Sequence, residues 1–268
     1  MVLAVAVGLY AVTNYQGLLQ LKIPIPLSFQ PLPLSPRSGL APLSTESASY
    51  FSPVSEKTSE KTARILSVRT PSSFSSYAEV VVWSNTSGNE TVNVTGWTVK
   101  SNKGSFAIPQ AQEEYSFGGS PSDIRLGSGN RVAIYSLEAI KGNFRLNKCL
   151  GYIEDVSPFL PALPRTCLYI SRSEVNHLSG ACQDYVLSLR TCQQPAANPP
   201  VPVDDSNCHD FLRKLNYVGC VEKYRRDADF LSSEWRVWLG NQANIFDPLH
   251  DKIQLIDKTG KVVDEYTY

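Results

Sequence analysis

Six cysteines, Cys149, Cys167, Cys182, Cys192, Cys208 and Cys220, are the side chains here most able to do chemistry, and all lie in one stretch of the sequence. None pairs in a C-x-x-C spacing, which would present two thiolates to a zinc ion or a redox partner. An even number of widely spaced cysteines suits disulfides formed in an oxidising compartment. The alternative is a set of buried free thiols in a reducing one. Two acidic groups could hold a cation: Asp204 and Asp205 with His209 and Asp210, and Asp227 and Asp229 beside Arg225 and Arg226. Each has a simpler use. Asp204 to Ser206 stand where a helix is expected to begin, and short polar side chains cap the exposed amides there. The second group mixes signs, as a solvated helix end does. The chain has no G-x-x-x-x-G-K-[ST] phosphate loop, no G-x-S-x-G elbow and no H-E-x-x-H. Gly127-Ser-Gly129 lacks a third glycine and reads as a turn. No nucleophile–base pair emerges, so no catalytic residue, metal ligand or cofactor is expected, and the chain reads as non-enzymatic.

The elements expected to carry the cysteines are two helices. Cys182-x-x-Tyr185-Val186-x-x-Leu189 repeats as Cys208-x-x-Phe211-Leu212-x-x-Leu215. Spacings of i, i+3, i+4 and i+7 mark one helical face, and Cys192 falls on the same face of the first helix. The second helix is expected to end near Asn216, with Gly219 in its C-terminal turn. Pro195, Pro199, Pro200 and Pro202 separate the two. Six cysteines allow about 15 pairings. On one helix Cys182 and Cys192 would be ~15 Å apart at 1.5 Å per residue, beyond the ~7 Å that a disulfide tolerates between Cα atoms. Antiparallel helices favour Cys182–Cys220 with Cys192–Cys208, leaving Cys149–Cys167 to close a loop holding Pro158, Pro161 and Pro164. Cys220 lies beyond the expected helix end, so Cys192–Cys220 with Cys182–Cys208 is the alternative.

On either side of this stretch the hydrophobic period is two. Glu79-Val-Val-Val-Trp83 is a strong strand, and Val92 and Val94 share a face. After Gly96 the parity changes, and Trp97 and Val99 take over. A parity switch at a glycine is what a β-bulge produces, so Gly96 would let Trp97 turn into the core. Phe106 and Ile108, then Arg131 to Tyr135, then Phe144 and Leu146 continue the pattern. It returns with Trp235, Val237 and Leu239, with Ile253 and Leu255, and with Val262 to Tyr266 after the turn Lys258-Thr-Gly260-Lys261. Short strands separated by turn signals suggest a sandwich or barrel. The simplest organisation is one β-domain over 62–268, interrupted by a helical insertion over 147–232, with Trp97, Gly96 and Trp235 as structural core.

The amino-terminal part differs. Val2 to Val12 is strongly apolar, and no charge precedes Lys22. Extended to Leu21, the run reaches the ~20 residues that span a bilayer. No basic region precedes it and no A-x-A site follows it. Residues 1–21 read as a membrane anchor, whole or a fragment of one, or as an atypical signal peptide; a buried strand or helix is the plain alternative. Prolines at Pro24, Pro26, Pro31, Pro33, Pro36, Pro42 and Pro53 make 22–61 an extended, semi-rigid linker. Lys and Arg total 25, as do Asp and Glu, and this balance lacks the basic excess of a dedicated nucleic-acid binder. Three N-x-[ST] triplets, at Asn85, Asn89 and Asn93, are of a kind that polar hairpin loops generate by composition alone.

Taken together, Glu79-Val-Val-Val-Trp83 with Asn85, Val92-Asn-Val-Thr-Gly-Trp-Thr-Val99, Phe106-Ala-Ile-Pro109, Trp235-Arg-Val-Trp-Leu239 and the ending Asp251 to Asp264 resemble the lamin tail domain family. The resemblance covers about Ala63 to Leu146 and Glu234 to Tyr268. It is nearest to bacterial, membrane-anchored versions with a cysteine-bearing insertion, entered here through Phe144 to Tyr152 and left through Ser233-Glu-Trp-Arg236. It implies an immunoglobulin-like β-sandwich with the Gly-Trp tryptophan against the core, and it brings no catalytic residues. The expected function is a structural or interaction module on the cell surface, single-pass in the membrane with its carboxy-terminal domain extracytoplasmic, binding a protein or glycan. Because some bacterial relatives accompany secreted nucleases, an accessory role in extracellular nucleic-acid binding or processing is the alternative.

Overall fold

The run Val80-Val81-Val82 sends its side chains alternately into two different cores, and that division explains the order of the layers. The computed structural model describes residues 62–72, 76–137, 142–240 and 245–268. The chain divides into Met1–Glu56 and Lys57–Tyr268, and every described residue belongs to the second unit. The expected anchor, 1–21, and linker, 22–61, lie outside the described residues. Among the described residues no helix is long and apolar enough to cross a membrane.

The fold is mainly β. The strands are β1 (Ala63–Arg69), β2 (Glu79–Ser84), β3 (Val92–Asn93), β4 (Thr98–Lys100), β5 (Ser105–Ala107), β6 (Arg125–Leu126), β7 (Arg131–Tyr135), β8 (Phe144–Asn147), β9 (Leu231–Trp238), β10 (Lys252–Ile256) and β11 (Val262–Thr267). Between β8 and β9 lie α1 (Gly151–Val156), α2 (Arg172–Val175), α3 (Gly180–Ser188), α4 (Ser206–Leu212) and α5 (Tyr217–Tyr224). One sheet runs β1-β2-β7-β9-β8, a second runs β11-β10-β4-β5, and β3 pairs with β6. Val80, Val82, Val132, Ile134, Trp235 and Val237 of the first sheet meet Val99, Phe106, Ile253 and Leu255 of the second in a shared core. This is a sandwich packing.

The opposite face of the first sheet is covered too. Val81, Ala133, Tyr135 and Trp238 pack with Phe144, Tyr152, Ile153, Tyr217 and Cys220 in a second core. A sheet buried on both faces reads as an unbroken apolar run, which is why β2 and β7 do not alternate with polar residues. Both edges of the sandwich are bridged. Ile65 N–H donates to Asp264 Oδ2 at 2.8 Å, clasping β1 to β11. At the other edge, Gln112 N–H donates to the Asn143 carbonyl, and Arg145 N–H donates to the Gln112 carbonyl, each at 2.9 Å.

Gly96 has φ 76°. Its N–H donates to the Ile108 carbonyl at 2.7 Å, and Ile108 N–H donates to the Trp97 carbonyl at 2.8 Å. Two residues thus oppose one, the geometry of a β-bulge whose first position is a left-handed glycine. Trp97 is 7 % exposed and Trp235 1 % exposed, both within the core between the sheets.

The disulfides differ from the favoured set, and of the alternative only Cys182–Cys208 is formed, not Cys192–Cys220. The structure joins Cys149 to Cys220, Cys167 to Cys192 and Cys182 to Cys208, with Cα separations of 5.8, 5.3 and 5.8 Å. It therefore forms none of Cys149–Cys167, Cys182–Cys220 and Cys192–Cys208. The difference arises at the helix ends. α3 stops at Ser188, Leu189 is already extended (φ -67°, ψ 137°), and Cys192 sits beyond it with φ 64°. α4 stops at Leu212. Asn216 then caps a new helix, its side chain accepting Gly219 N–H at 3.0 Å, so Gly219 lies in the first turn of α5 rather than in a terminal turn. Cys192 and Cys220 consequently face the second core, not the α3–α4 pair.

Candidate functional site

The helices between β8 and β9 belong to two apolar clusters. The proximal one is the second core on the sheet, and it contains Cys149–Cys220 and Cys167–Cys192. The distal one gathers Val175, Leu178, Val186, Val201 and Leu212 around Cys182–Cys208. In the distal cluster the two helix starts are tied together. Ser179 caps α3 by accepting Cys182 N–H at 3.2 Å, Asp205 caps α4 by accepting Cys208 N–H at 3.0 Å, and Ser179 Oγ donates to Asp205 at 2.6 Å. The Ser179 hydrogen bond, with the Cys208 amide, holds the Asp205 carboxyl below its ordinary value.

Asp205 thus acts as a cap. Although Cys182, Asp205 and Cys208 come together in a ligand-like group, both sulfurs are spent in a disulfide and offer no thiolate. Of the other acidic candidates, Asp210 pairs with Arg213, while His209 Nε2 donates to the Pro202 carbonyl at 3.1 Å. Asp227 and Asp229 hold the Lys148 ammonium at 3.1 and 2.6 Å, and the Lys148 hydrogen bond lowers the Asp229 carboxyl. The buried Glu154 accepts the N–H groups of Phe159 and Leu163, each at 3.0 Å. With Trp238 Nε1 donating to the Leu160 carbonyl at 3.0 Å, it fixes the loop after α1 against the sheet.

One concave feature of this region lies at the seam of the two clusters. It is an open cleft of about 460 Å³, within the size range of ligand sites, roughly 300–1,000 Å³. Tyr152, Cys167, Cys220 and Tyr224 line it from the proximal side, and Ile170, Phe211 and Leu215 from the distal side. Gly219 allows α5 to close on the preceding turn, since a Cβ there would stand 2.1 Å from the Lys214 carbonyl oxygen. Four charged residues, Glu174, Lys214, Glu222 and Lys223, complete the lining. Lys223 pairs with Glu174 across the seam and lies 4.9 Å from the Tyr224 ring centre. That pairing holds the Glu174 carboxyl low. Burial works against the charge on Lys223, but its bonds to Glu174 and Tyr224 outweigh burial and raise its pKa. Burial in turn raises the Tyr152 hydroxyl. Leu168 is 47 % exposed and Tyr169 69 %. Leu168 also lines a neighbouring depression of about 400 Å³ with Lys148, Asp229 and Glu234.

Sequence reasoning placed Phe211 and Leu215 on a helical face but did not single out Leu168, Tyr169, Ile170 or Tyr152. The signal was there: three bulky apolar residues after a cysteine, in a segment with neither helical nor strand period. No family model, no curated protein and no solved structure matches this chain.

Proposed function

We propose that the chain is a non-catalytic, extracytoplasmic interaction module that engages a protein or glycan partner through the cleft between its two disulfide-stapled clusters. On this reading the sandwich is a lamin-tail-type, immunoglobulin-like domain, and the α1–α5 region is an insertion within it. Residues 1–21 anchor the chain in a membrane, and 22–61 hold the domain away from it. The observation that carries the reading is the cleft itself: a largely apolar depression with half-exposed Leu168 in its lining, on a segment cross-linked by three disulfides. Disulfides persist in oxidising compartments, and they hold a binding surface rigid before a partner arrives, which lowers the ordering cost of association.

The test is affinity capture from cell-surface material with the full-length chain, run beside a Leu215→Glu variant that puts a charge in the cleft. The reading expects a surface protein or glycan retained by the parent and lost from the variant. Identical retention by both would move binding away from the cleft.

A further inference from the structure

Leu168, Tyr169 and Ile170 connect Cys167 to Ser171, the N-cap of α2. The main-chain N–H and carbonyl groups of these three residues make no hydrogen bond to another described residue. Their neighbours are fixed on both sides. Cys167 N–H rests on Cys192 Sγ at 3.2 Å, and Ser171 N–H donates to the Glu174 carboxylate at 3.0 Å. Main-chain groups held at a surface without internal partners are a template that a second chain can pair with.

Beside this strip the cleft is lined by aliphatic and aromatic side chains, two disulfides and four charges, with no Asn, Gln, Asp, Arg, Ser or Thr. Its polar groups are the Tyr152 and Tyr224 hydroxyls and the four charges, and the unpaired amides and carbonyls of the strip beside them have the spacing of another main chain. A large apolar side chain gains by burial against the rest of the lining. Lys214 and Glu222 line the cleft without an ion-pair partner among the described residues, so charges of either sign on an incoming chain find a complement.

We infer that the Leu168–Ile170 strip and the adjoining cleft form a docking groove for an extended polypeptide segment of a partner protein. The partner's main chain pairs with the strip, a large apolar side chain seats between Tyr152, Phe211 and Leu215, and flanking charges meet Lys214 and Glu222. The inference rests on the proposed interaction role and narrows it from protein or glycan to protein.

The full chain, immobilised in mild detergent, is panned with a displayed library of random linear peptides, and a glycan array is probed in parallel. Enriched peptides are synthesised and their affinities measured by fluorescence anisotropy. The groove requires enriched peptides with an aromatic or aliphatic anchor. Their affinity should fall about tenfold or more for Leu168→Ala and Leu215→Glu, both at cleft-lining positions, and stay unchanged for Leu249→Ala. N-methylation of the peptide main chain beside the anchor should also weaken binding. Leu168 is 47 % exposed, and a thermal melt checks that Leu168→Ala and Leu215→Glu keep the fold. Peptides that bind all three variants equally, or that tolerate N-methylation, overturn the groove. Glycan binding without peptide enrichment overturns the peptide assignment alone and leaves the interaction role standing. Failure of both arms counts against both.

Discussion

Gly151 and Cys192 are in such close contact that a Cβ built on the glycine would stand 2.2 Å from the cysteine sulfur, with the Arg165 Cα only 3.1 Å away. The start of α1 therefore abuts the Cys167–Cys192 disulfide, and neither neighbour is the free end of a flexible side chain. Gly151→Ala should destabilise the protein by about 1–3 kcal/mol, as overpacking does, and should slow correct disulfide formation. Thermal melting and the yield of fully oxidised protein check this. A variant that melts and oxidises like the parent would mean that α1 can move off the disulfide.

Trp97 is placed in the core by a glycine-led bulge. Trp97→Ala should cost roughly 3–5 kcal/mol, measured by denaturant unfolding. A loss of only a few tenths would mean that the indole is not part of the packing between the sheets.

Glu234 on β9 receives Arg131 Nε at 3.0 Å and Arg236 Nε at 2.8 Å. Burial favours the neutral acid, but the two arginines outweigh it and hold the folded carboxyl below its ordinary value. An unfolded Glu titrates near about 4.3. A depressed folded pKa adds stability that is complete above the unfolded value and is lost as pH falls through the folded one. Glu234→Gln should therefore lower the melting temperature at neutral pH, and the gap to the parent should close on acidification below about pH 4. A gap that stays constant with pH would show that the loss is one of packing rather than charge.

Non-reducing peptide mapping should recover Cys149 linked to Cys220, Cys167 to Cys192 and Cys182 to Cys208. A peptide joining Cys149 to Cys167 would restore the arrangement expected from helix periodicity and would separate α1 from α5.

How far the sequence reached can be judged at particular residues. The shift of parity at Gly96 was readable because it is local, a bulge showing within a few residues. The strands of the central sheet were readable from Val80, Val132 and Trp235, though not the fact that Val81 and Ala133 face a second core, because the cover comes from far along the chain. The helical region was read least well. α1 and α2 are too short to show a period, α5 is masked because Gly219 resembles a C-terminal turn where Asn216 in fact caps a new helix, and Cys192 happens to continue the helical spacing beyond the end of α3. Helix ends are set by capping and tertiary packing, and here they decide which cysteines can meet. The cleft followed the same rule: its walls come from separate segments that apolar packing and the observed disulfides hold together.

A partner seated in the cleft would lie against Leu168, which lines it and is 47 % exposed. A photo-crosslinking amino acid placed at Leu168 of the full-length chain, in the cells that produce it, tests this directly, with the same group at Leu249, an exposed position outside the cleft lining, as control. A discrete covalent adduct to a protein is expected from position 168 and none from position 249. No adduct at 168, or the same adduct from both positions, would contradict docking at the cleft.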